Sequence, residues 1–388
     1  MLHFLFPSLV LLLLPSLLSC LSHPGALAYT LVDDFSGIEF FDEWDFYGGV
    51  DNLTMGDVNW LTESDAFSQQ LALVNQAGNV IIKVDNFTPV SPGQKRNSVR
   101  ITTRKTYAMG TLWIVDAVHM PFGCSVWPSI WTFGPAWPAG GEIDIIEGIN
   151  MMPTNQYALH TTEGCLHTTP TTQIGTSSLT DCAEAAGCLV TETKPNSYGP
   201  GFAAAGGGVY AAQFDYTGCA VLSSLIRPTH VTLIRDSSLW FWSRANVPPS
   251  IVHATSTSGM DLADWGPPSA AYVNTSCAIE QFFSPQNLVI DITLCGNWAG
   301  LPATYAETCA HTGPSGTCYT DNVVGNGANY DDAYFEIRSV RAYTTAAATP
   351  TAVAALGQGK TNRAGMMGPG VSWLTGCVVS FLVAVLTI

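Results

Sequence analysis

Three carboxylates stand close together in the segment Gly141–Gly148, where Glu142, Asp144 and Glu147 are separated only by isoleucines. A run of β-branched residues favours a strand, in which alternate side chains point to opposite faces. Glu142 and Asp144 therefore share one face, and a β-bulge at Ile145–Ile146 would bring Glu147 to that face as well. Paired carboxylates on one surface are the groups that cleave glycosidic bonds, one as nucleophile and the other as proton donor.

The middle carboxylate of this set, Asp144, is expected to hold Glu142 in place and to help keep Glu147 protonated, because a nearby like charge raises the pKa of an acid. The alternatives are an acidic calcium-binding strand and a solvated acidic face. Calcium sites usually draw their ligands from a loop rich in carbonyl groups, Asn and Asp. The isoleucines argue against a loop, so we predict neither a metal nor a cofactor.

Tryptophans lie just upstream of the carboxylates, at positions 127, 131 and 137. The flat C–H face of a pyranose stacks well on an indole ring, and the indole N–H can meet a hydroxyl group. The alternative is that these are core residues. The prolines and glycines around Trp127, Trp131 and Trp137 predict irregular chain at the surface and therefore favour a sugar-binding cleft.

Three further side chains are candidates for the same cleft. His160 lies on the next predicted strand, a plausible hairpin partner, where its imidazole would contact and tune the proton donor. Trp298 follows the apolar run Leu288–Ile292 and lies between glycines, a suitable place to line a cleft. Arg100 stands on a predicted strand as the partner of a carboxylate that the sequence does not identify.

The elements that must position these residues are predicted to be strands in one all-β domain. Strand-like runs alternate with turns rich in Gly, Pro and Asn, and the sequence contains no long amphipathic helix and no internal repeat. The predicted strands are Asn79–Val84, Ser98–Thr103, Gly110–Val118, Glu142–Glu147, Leu239–Ser243, Leu288–Leu294 and Tyr334–Ala342.

The Glu-x-Asp-x-x-Glu pattern of residues 142–147 resembles the active-site strand of glycoside hydrolase family 16, in its bulged, laminarinase-containing branch. The similarity to basidiomycete-type endo-1,3(4)-β-glucanases runs from about Tyr29 to Tyr343. The segment from Tyr216 to Leu233, which contains Cys219, is extra relative to that pattern. The segments that carry the resemblance are Arg96–Ile101, His119–Pro121, Trp137–Glu142, Glu147–Asn150, Leu159–Thr161, Asn196–Pro200 and Cys295–Gly300.

This resemblance implies a β-jelly-roll sandwich of the concanavalin A type with a concave substrate cleft. It implies retaining hydrolysis of β-1,3-glucan or mixed-linkage β-glucan, with Glu142 as nucleophile, Asp144 as assisting carboxylate and Glu147 as acid/base. A transglycosylase that remodels cell walls and a non-catalytic glucan-binding sandwich are the alternatives. The side chains expected to bind substrate are Trp127, Trp131, Trp137, His160, Trp298, Arg100 and Asn150, with His160 beside the acid/base.

The two ends of the chain predict secretion. Residues 1–28 resemble a signal peptide, followed by the domain at 29–343. Residues 344–370 form a predicted Thr/Ala/Gly-rich stalk and spacer, and residues 371–388 form a hydrophobic tail that fits a GPI signal or a membrane anchor. An extracellular or cell-surface location, in contact with the membrane only through this tail, is therefore expected. Sequons at Asn52, Asn86 and Asn274 agree with it.

The cysteine content predicts disulfides, and the net charge limits the class of binding partner. Of the 11 cysteines, Cys20 and Cys377 fall in the predicted removable ends. The other nine predict four disulfides in an oxidising compartment, with Cys219 left over. The formal charge of −16 excludes a cationic surface for nucleic acid and is compatible with a neutral polysaccharide. We expect a monomer.

Overall fold

The computed structural model describes residues 29–215, 236–345 and 351–352. The predicted signal peptide, the hydrophobic tail, most of the stalk and the extra segment with Cys219 lie outside these residues. Within them, strands dominate and helices are short, which confirms the all-β prediction.

Twenty-one strands are present in the described residues. In chain order they are β1 (Thr30–Ser36), β2 (Trp44–Phe46), β3 (Gly49–Val50), β4 (Val58–Trp60), β5 (Ala72–Val74), β6 (Val80–Lys83), β7 (Arg96–Ser98), β8 (Arg100–Thr103), β9 (Lys105–Thr106), β10 (Thr111–His119), β11 (Val126–Phe133), β12 (Glu142–Glu147), β13 (Gln156–His160), β14 (Thr176–Ser177), β15 (Cys188–Thr191), β16 (Gly208–Phe214), β17 (Asp236–Ser243), β18 (Ala270–Val273), β19 (Asn287–Leu294), β20 (Tyr334–Thr344) and β21 (Thr351–Ala352).

Helices occur only in the connections between the described strands. They are α1 (Glu63–Ser68), α2 (Gly199–Ala204), α3 (Pro249–Val252), α4 (Ile279–Phe282), α5 (Gly296–Ala299) and α6 (Pro302–Cys309), with 3₁₀ turns at Gly37–Glu43, Arg244–Asn246 and Ala328–Tyr330 and a π turn at Tyr319–Val323. Of these, α5 bears on the site, because it carries Trp298.

Two eight-stranded antiparallel sheets form the sandwich. In the first, β18, β17, β16, β10, β20, β6 and β5 follow one another, and β1 also pairs with β20. In the second, the order is β14, β15, β13, β12, β11, β19, β8 and β2. The carboxylate strand β12 therefore lies in the interior of the second sheet, between β11 and β13. Its side chains are fixed by two neighbours at once.

The main core lies between the two sheets and follows from the period-two pattern of their strands. Trp113 and Val115 of β10 belong to the same buried cluster as Ile130 of β11 and Ile290 of β19. The isoleucines of β12 also point into this core, where Ile143, Ile145 and Ile146 are all at most 1% exposed. Burying these isoleucines leaves the carboxylates of β12 on the outer face of the second sheet.

Residues from the loop after α3 cover the outer face of the first sheet. Leu112 and Ile114 of β10 and Trp240 and Trp242 of β17 pack with Trp265 from the loop after α3 in a second buried cluster. Trp265 meets both β17 indoles edge to face, at 5.2 and 5.0 Å between ring centroids. Both faces of this sheet are therefore buried, and the two sheets have different outer faces.

Four disulfides join Cys124 to Cys309, Cys165 to Cys277, Cys182 to Cys188 and Cys295 to Cys318. The predicted four disulfides are thereby confirmed, while Cys219 lies outside the described residues.

Residues at the predicted start of the stalk form backbone hydrogen bonds with the domain. Strand β20 includes Thr344, and the Thr345 N–H donates to the carbonyl of Gly110. Further along, β21 pairs with β9. Among the described residues, no helix is long and apolar enough to cross a membrane.

Candidate active site

The carboxylate strand β12 contains the predicted bulge. On the β11 side, Ile130 pairs with Ile146 and Trp131 pairs with Asp144. Ile145 therefore has no pairing partner on β11. On the β13 side, the pairing also shifts between Asp144 and Glu147. The extra residue puts both Ile145 and Ile146 in the core. It returns Glu147 to the face that carries Glu142 and Asp144.

Backbone groups freed by the bulge are met by the side chain of Asn155, which is fully buried. Its Oδ1 accepts the Glu147 N–H at 3.0 Å, and its Nδ2 donates to the carbonyl of Ile145 at 3.1 Å. The bulge therefore has its own hydrogen-bond partner.

The carboxyl group of Glu147 is held by donors from β11. The indole N–H of Trp127 donates to its Oε1 at 2.9 Å, and Ser129 Oγ lies 3.5 Å from the same oxygen. Burial and the charge of Asp144 raise the pKa of Glu147 to about 8, and the Trp127 bond opposes that rise. Glu147 is thus a neutral acid at neutral pH, as a proton donor must be.

Glu142 and Asp144 lie close together at the other end of the strand. The indole N–H of Trp137 donates to Glu142 Oε2 at 2.5 Å. Nε2 of His160 lies 3.8 Å from Glu142 Oε1 and 3.4 Å from Asp144 Oδ2. Burial raises the pKa of Asp144 to about 8, and a hydrogen bond with Glu142 opposes that rise. Burial and the charge of Asp144 raise the pKa of Glu142 well above its usual value, and the interaction with His160 and the Trp137 hydrogen bond oppose that rise.

Those three side chains, Glu142, Asp144 and His160, are also the group that could hold a metal ion in the part of the chain that the structure describes. Their ligand atoms lie within 4.8 Å of one another. A proton held on one of the two buried carboxyl groups meets the same electrostatic need, because it removes one negative charge from the cluster.

A second polar group on this face surrounds Asp291 of β19. Burial raises its pKa to about 6 against the opposing charge of Arg100, whose Nε lies 3.9 Å from Asp291 Oδ2. The Arg100 guanidinium also stacks over the rings of Tyr47 and Trp131, at 5.1 and 5.2 Å from their centroids. The carboxylate that pairs with Arg100 is therefore Asp291, and an aromatic–cation stack lies beside it.

The predicted aromatic residues differ in exposure. Trp137 is 59% exposed and presents its ring to solvent. Trp298 is half-buried in α5 and meets Trp127 edge to face at 5.3 Å. Trp127 is 8% exposed and packs in a small buried cluster with Ile149 and Ala299, so it presents its N–H to Glu147 more than a ring face to solvent.

Three expectations need correction. Trp127 and Trp131 lie on the regular strand β11 and not in irregular chain; Pro128 fits there because the pairing with β12 ends at Ser129. His160 is the predicted hairpin partner, but its closest contacts are with Asp144 and Glu142, because antiparallel pairing sets the end of β13 against the start of β12. Its electrostatic interaction still lowers the pKa of Glu147.

Asn150 does not face the cleft. It is 1% exposed, and its side chain accepts the Ser125 N–H at 2.8 Å and donates to the carbonyl of Ala299 at 3.2 Å. Its backbone has a positive φ of 55°. The amide ties the turn after β12 to the chain before β11 and to α5, so Asn150 is a scaffold residue.

Sequence reasoning missed Asp291, Asn155 and Gln286. An acid in the apolar run of β19 was the available signal for Asp291. Gln286 is fully buried; its Nε2 donates to the carbonyls of Gly140 and Ser284, which fastens the loop 134–141 that carries Trp137. Neither amide had a signal in the sequence, because its role depends on the strand register.

Comparison with known proteins gives one consistent result. A family model described as "XgeA-like, catalytic GH16 domain" matches residues 44–223 and 230–343. A probable endo-1,3(4)-beta-glucanase of Neosartorya fischeri is 35% identical over 81% of this chain. The alignment covers 45% of that relative, so the chain spans less than half of its length.

Two solved structures align over 82% of this chain and over their own full length. GH16 laminarinase 16A from Phanerochaete chrysosporium, with 6-O-glucosyl-laminaritriose in its donor and acceptor sites, has 32% identity and a TM-score of 0.71. An elongating GH family 16 beta-1,3-glucosyltransferase has 34% identity and a TM-score of 0.70.

Proposed function

Since this chain belongs to glycoside hydrolase family 16, we propose that it is an endo-1,3(4)-β-glucanase. Its substrate is β-1,3-glucan or mixed-linkage β-glucan, and it acts with retention of configuration. The observation that carries this proposal is the bulged strand β12, which puts Glu142, Asp144 and Glu147 on one face with Glu147 protonated at neutral pH.

In the first step, Glu142 attacks the anomeric carbon while Glu147 gives its proton to the glycosidic oxygen. The C–O bond breaks, one glucan leaves as an alcohol, and the sugar remains as an ester of Glu142. In the second step, Glu147, now a carboxylate, takes a proton from water, and the resulting nucleophile cleaves the ester. Both carboxyl groups return to their starting state.

The neighbouring residues support these changes of charge. Burial and the charge of Asp144 raise the pKa of Glu142, and the interaction with His160 opposes that rise and so favours the ionised nucleophile. Trp137 stabilises the ionised Glu142 through its N–H and offers an exposed ring to a sugar. The stack of Tyr47, Arg100 and Trp131 lies on the same sheet face, with Trp131 on β11 next to β12 and Arg100 on β8 three strands from β12, where it lines the path of a polymer.

Transfer to a second glucan is the competing outcome of the same intermediate, and it is favoured by the likeness to the elongating glucosyltransferase. A sugar hydroxyl then replaces water in the second step, and Glu147 activates it in the same way. The two activities therefore share their catalytic residues and differ in their products.

Secretion is proposed on the four disulfides, because disulfides of this kind form in oxidising compartments.

The test is the product profile of the full mature chain on linear β-1,3-glucan, with time points sized by chromatography. We expect a rapid fall in chain length with short oligosaccharides. We expect Glu142→Gln and Glu147→Gln each to lower the rate by at least about 10²-fold, with unchanged circular dichroism. The matched control is Glu280→Gln, at an exposed position.

Other outcomes contradict the proposal in distinct ways. Near-normal activity in either glutamine variant would remove the assigned roles. Products longer than the substrate would make the protein a transglycosylase. Intact polymer with bound protein would make it a glucan-binding module.

A further inference from the structure

The bulge in β12 interrupts its pairing with β13 and leaves two buried backbone groups, the Glu147 N–H and the Ile145 carbonyl, without a partner on that strand. A regular antiparallel strand would satisfy both through the neighbouring backbone. Here the Asn155 carboxamide accepts from the first at 3.0 Å and donates to the second at 3.1 Å. One primary amide thus takes the place of a peptide group, because it offers an acceptor and a donor side by side.

We propose that Asn155 is a positioning residue for the proton donor: by filling the bulge, it keeps Glu147 on the carboxylate face. This inference rests on the proposed function, in which Glu147 is the acid/base.

The reason lies in the period-two geometry of a strand. If β12 shed its extra residue toward a regular strand, Glu147 would move to the face that carries the isoleucines, since a shift of one residue reverses the side chain. The Asn155 bonds are made only by the bulged register. They therefore stabilise that register against the alternative in which Glu147 points into the core.

The backbone of Asn155 is itself held by hydrogen bonds. Its backbone N–H donates to Ser197 Oγ at 3.0 Å, and its carbonyl accepts the Glu192 N–H at 2.9 Å. The next residue in that segment, Tyr198, packs under Gly148, where an added Cβ would lie 2.7 Å from the tyrosine ring. The Asn196–Pro200 segment, for which the sequence suggested no role, thus supports the bulge and the residue that follows Glu147.

The first experiment compares two substrates in Asn155→Ala. A laminari-oligosaccharide leaves as an alcohol and needs the proton of Glu147, whereas the dinitrophenolate of 2,4-dinitrophenyl β-laminaribioside leaves without one. We expect kcat/KM to fall by about 10²-fold for the oligosaccharide and by less than about 10-fold for the aryl glycoside, since general acid catalysis supplies about 10²–10⁴-fold. Equal losses on both substrates would overturn the proposal.

The second experiment uses Asn155→Asp, which keeps the shape of the side chain and serves if the alanine variant does not fold. Protonated, the introduced carboxyl can donate to the Ile145 carbonyl and accept from the Glu147 N–H; ionised, it loses the donor. We expect its kcat/KM on the oligosaccharide, relative to wild type, to be greatest at acid pH and to decline as the pH rises. A ratio independent of pH would contradict the proposal.

The matched control is Asn322→Ala. Asn322 is 3% exposed and donates to Tyr305 Oη and the Cys318 carbonyl, away from β12. We expect it to affect both substrates alike, and a substrate difference equal to that of Asn155→Ala would count against Asn155.

Glu147→Ala separates the two levels of the argument. If it shows the substrate difference and Asn155→Ala does not, only the inference about Asn155 fails. If Glu147→Ala shows no such difference, the proposed function of Glu147 fails.

Discussion

Replacing Trp127 by phenylalanine should raise the pH at which activity is lost on the alkaline side. The substitution keeps an aromatic ring beside Trp298 but removes the N–H that donates to Glu147 Oε1 at 2.9 Å. This hydrogen bond stabilises the ionised form of Glu147 and so lowers its pKa. Without it, Glu147 should keep its proton to a higher pH.

The size of the shift follows from the strength of the bond. A hydrogen bond to a charged group contributes about 1.5–3 kcal/mol, and one pKa unit corresponds to about 1.4 kcal/mol. The pKa of Glu147 should therefore rise from about 8 by about one to two units. Ser129 Oγ, at 3.5 Å, offers only a weak replacement.

The assay is the pH profile of kcat/KM on a laminari-oligosaccharide, whose alkaline limb reports the proton donor of the free enzyme. The limb should move upward in Trp127→Phe and stay in place in Trp131→Phe, where the lost N–H faces Asp291 at 3.4 Å. An unmoved limb would show that Trp127 does not set the acidity of Glu147. A downward shift would show that water replaces the indole and stabilises the charge better.

Two other predictions concern stability and substrate binding. Because the pKa of Glu147 rises from 4.5 to about 8 on folding, the native state holds this proton more tightly and loses stability as the pH rises between those values. Glu147→Gln should therefore melt at least about 2 °C above wild type at pH 9. Near pH 4 the two proteins should melt at the same temperature, as measured by calorimetry. A melting-temperature difference that does not change with pH would contradict this. Gln286→Leu removes the two bonds that fasten the loop carrying Trp137, so KM should rise severalfold on oligosaccharides while kcat changes less. An unchanged KM in a variant that unfolds at lower temperature would show that the bonds serve stability alone.

The carboxylate strand could be predicted because its pattern is local. The isoleucines specify a strand with one buried face, and the spacing of the three acids requires a bulge to keep them together. Both features appear in β12 as predicted. The aromatic residues could be found as candidates in the same way, since their residue type alone suggests sugar binding.

Partners across strands could not be predicted, because they depend on register. The distance along the chain predicts that His160 lies beside Glu147, whereas antiparallel pairing puts it opposite Glu142. The motif implies that Asn150 binds substrate, but its side-chain amide is hydrogen-bonded to the backbone of Ser125 and Ala299. Sequence motifs do not distinguish a residue that touches the ligand from one that shapes the turn beneath it.

The bulge has a consequence for how this strand can change in evolution. Deleting Ile145 would give an unbulged Glu-Ile-Asp-Ile-Glu series in which strict alternation already puts all three carboxylates on one face. The catalytic set would survive such a deletion, but the Asn155 amide would lose both bulge partners while buried. Loss of one codon in β12 therefore calls for a compensating substitution at position 155, and the two positions should vary together among related chains.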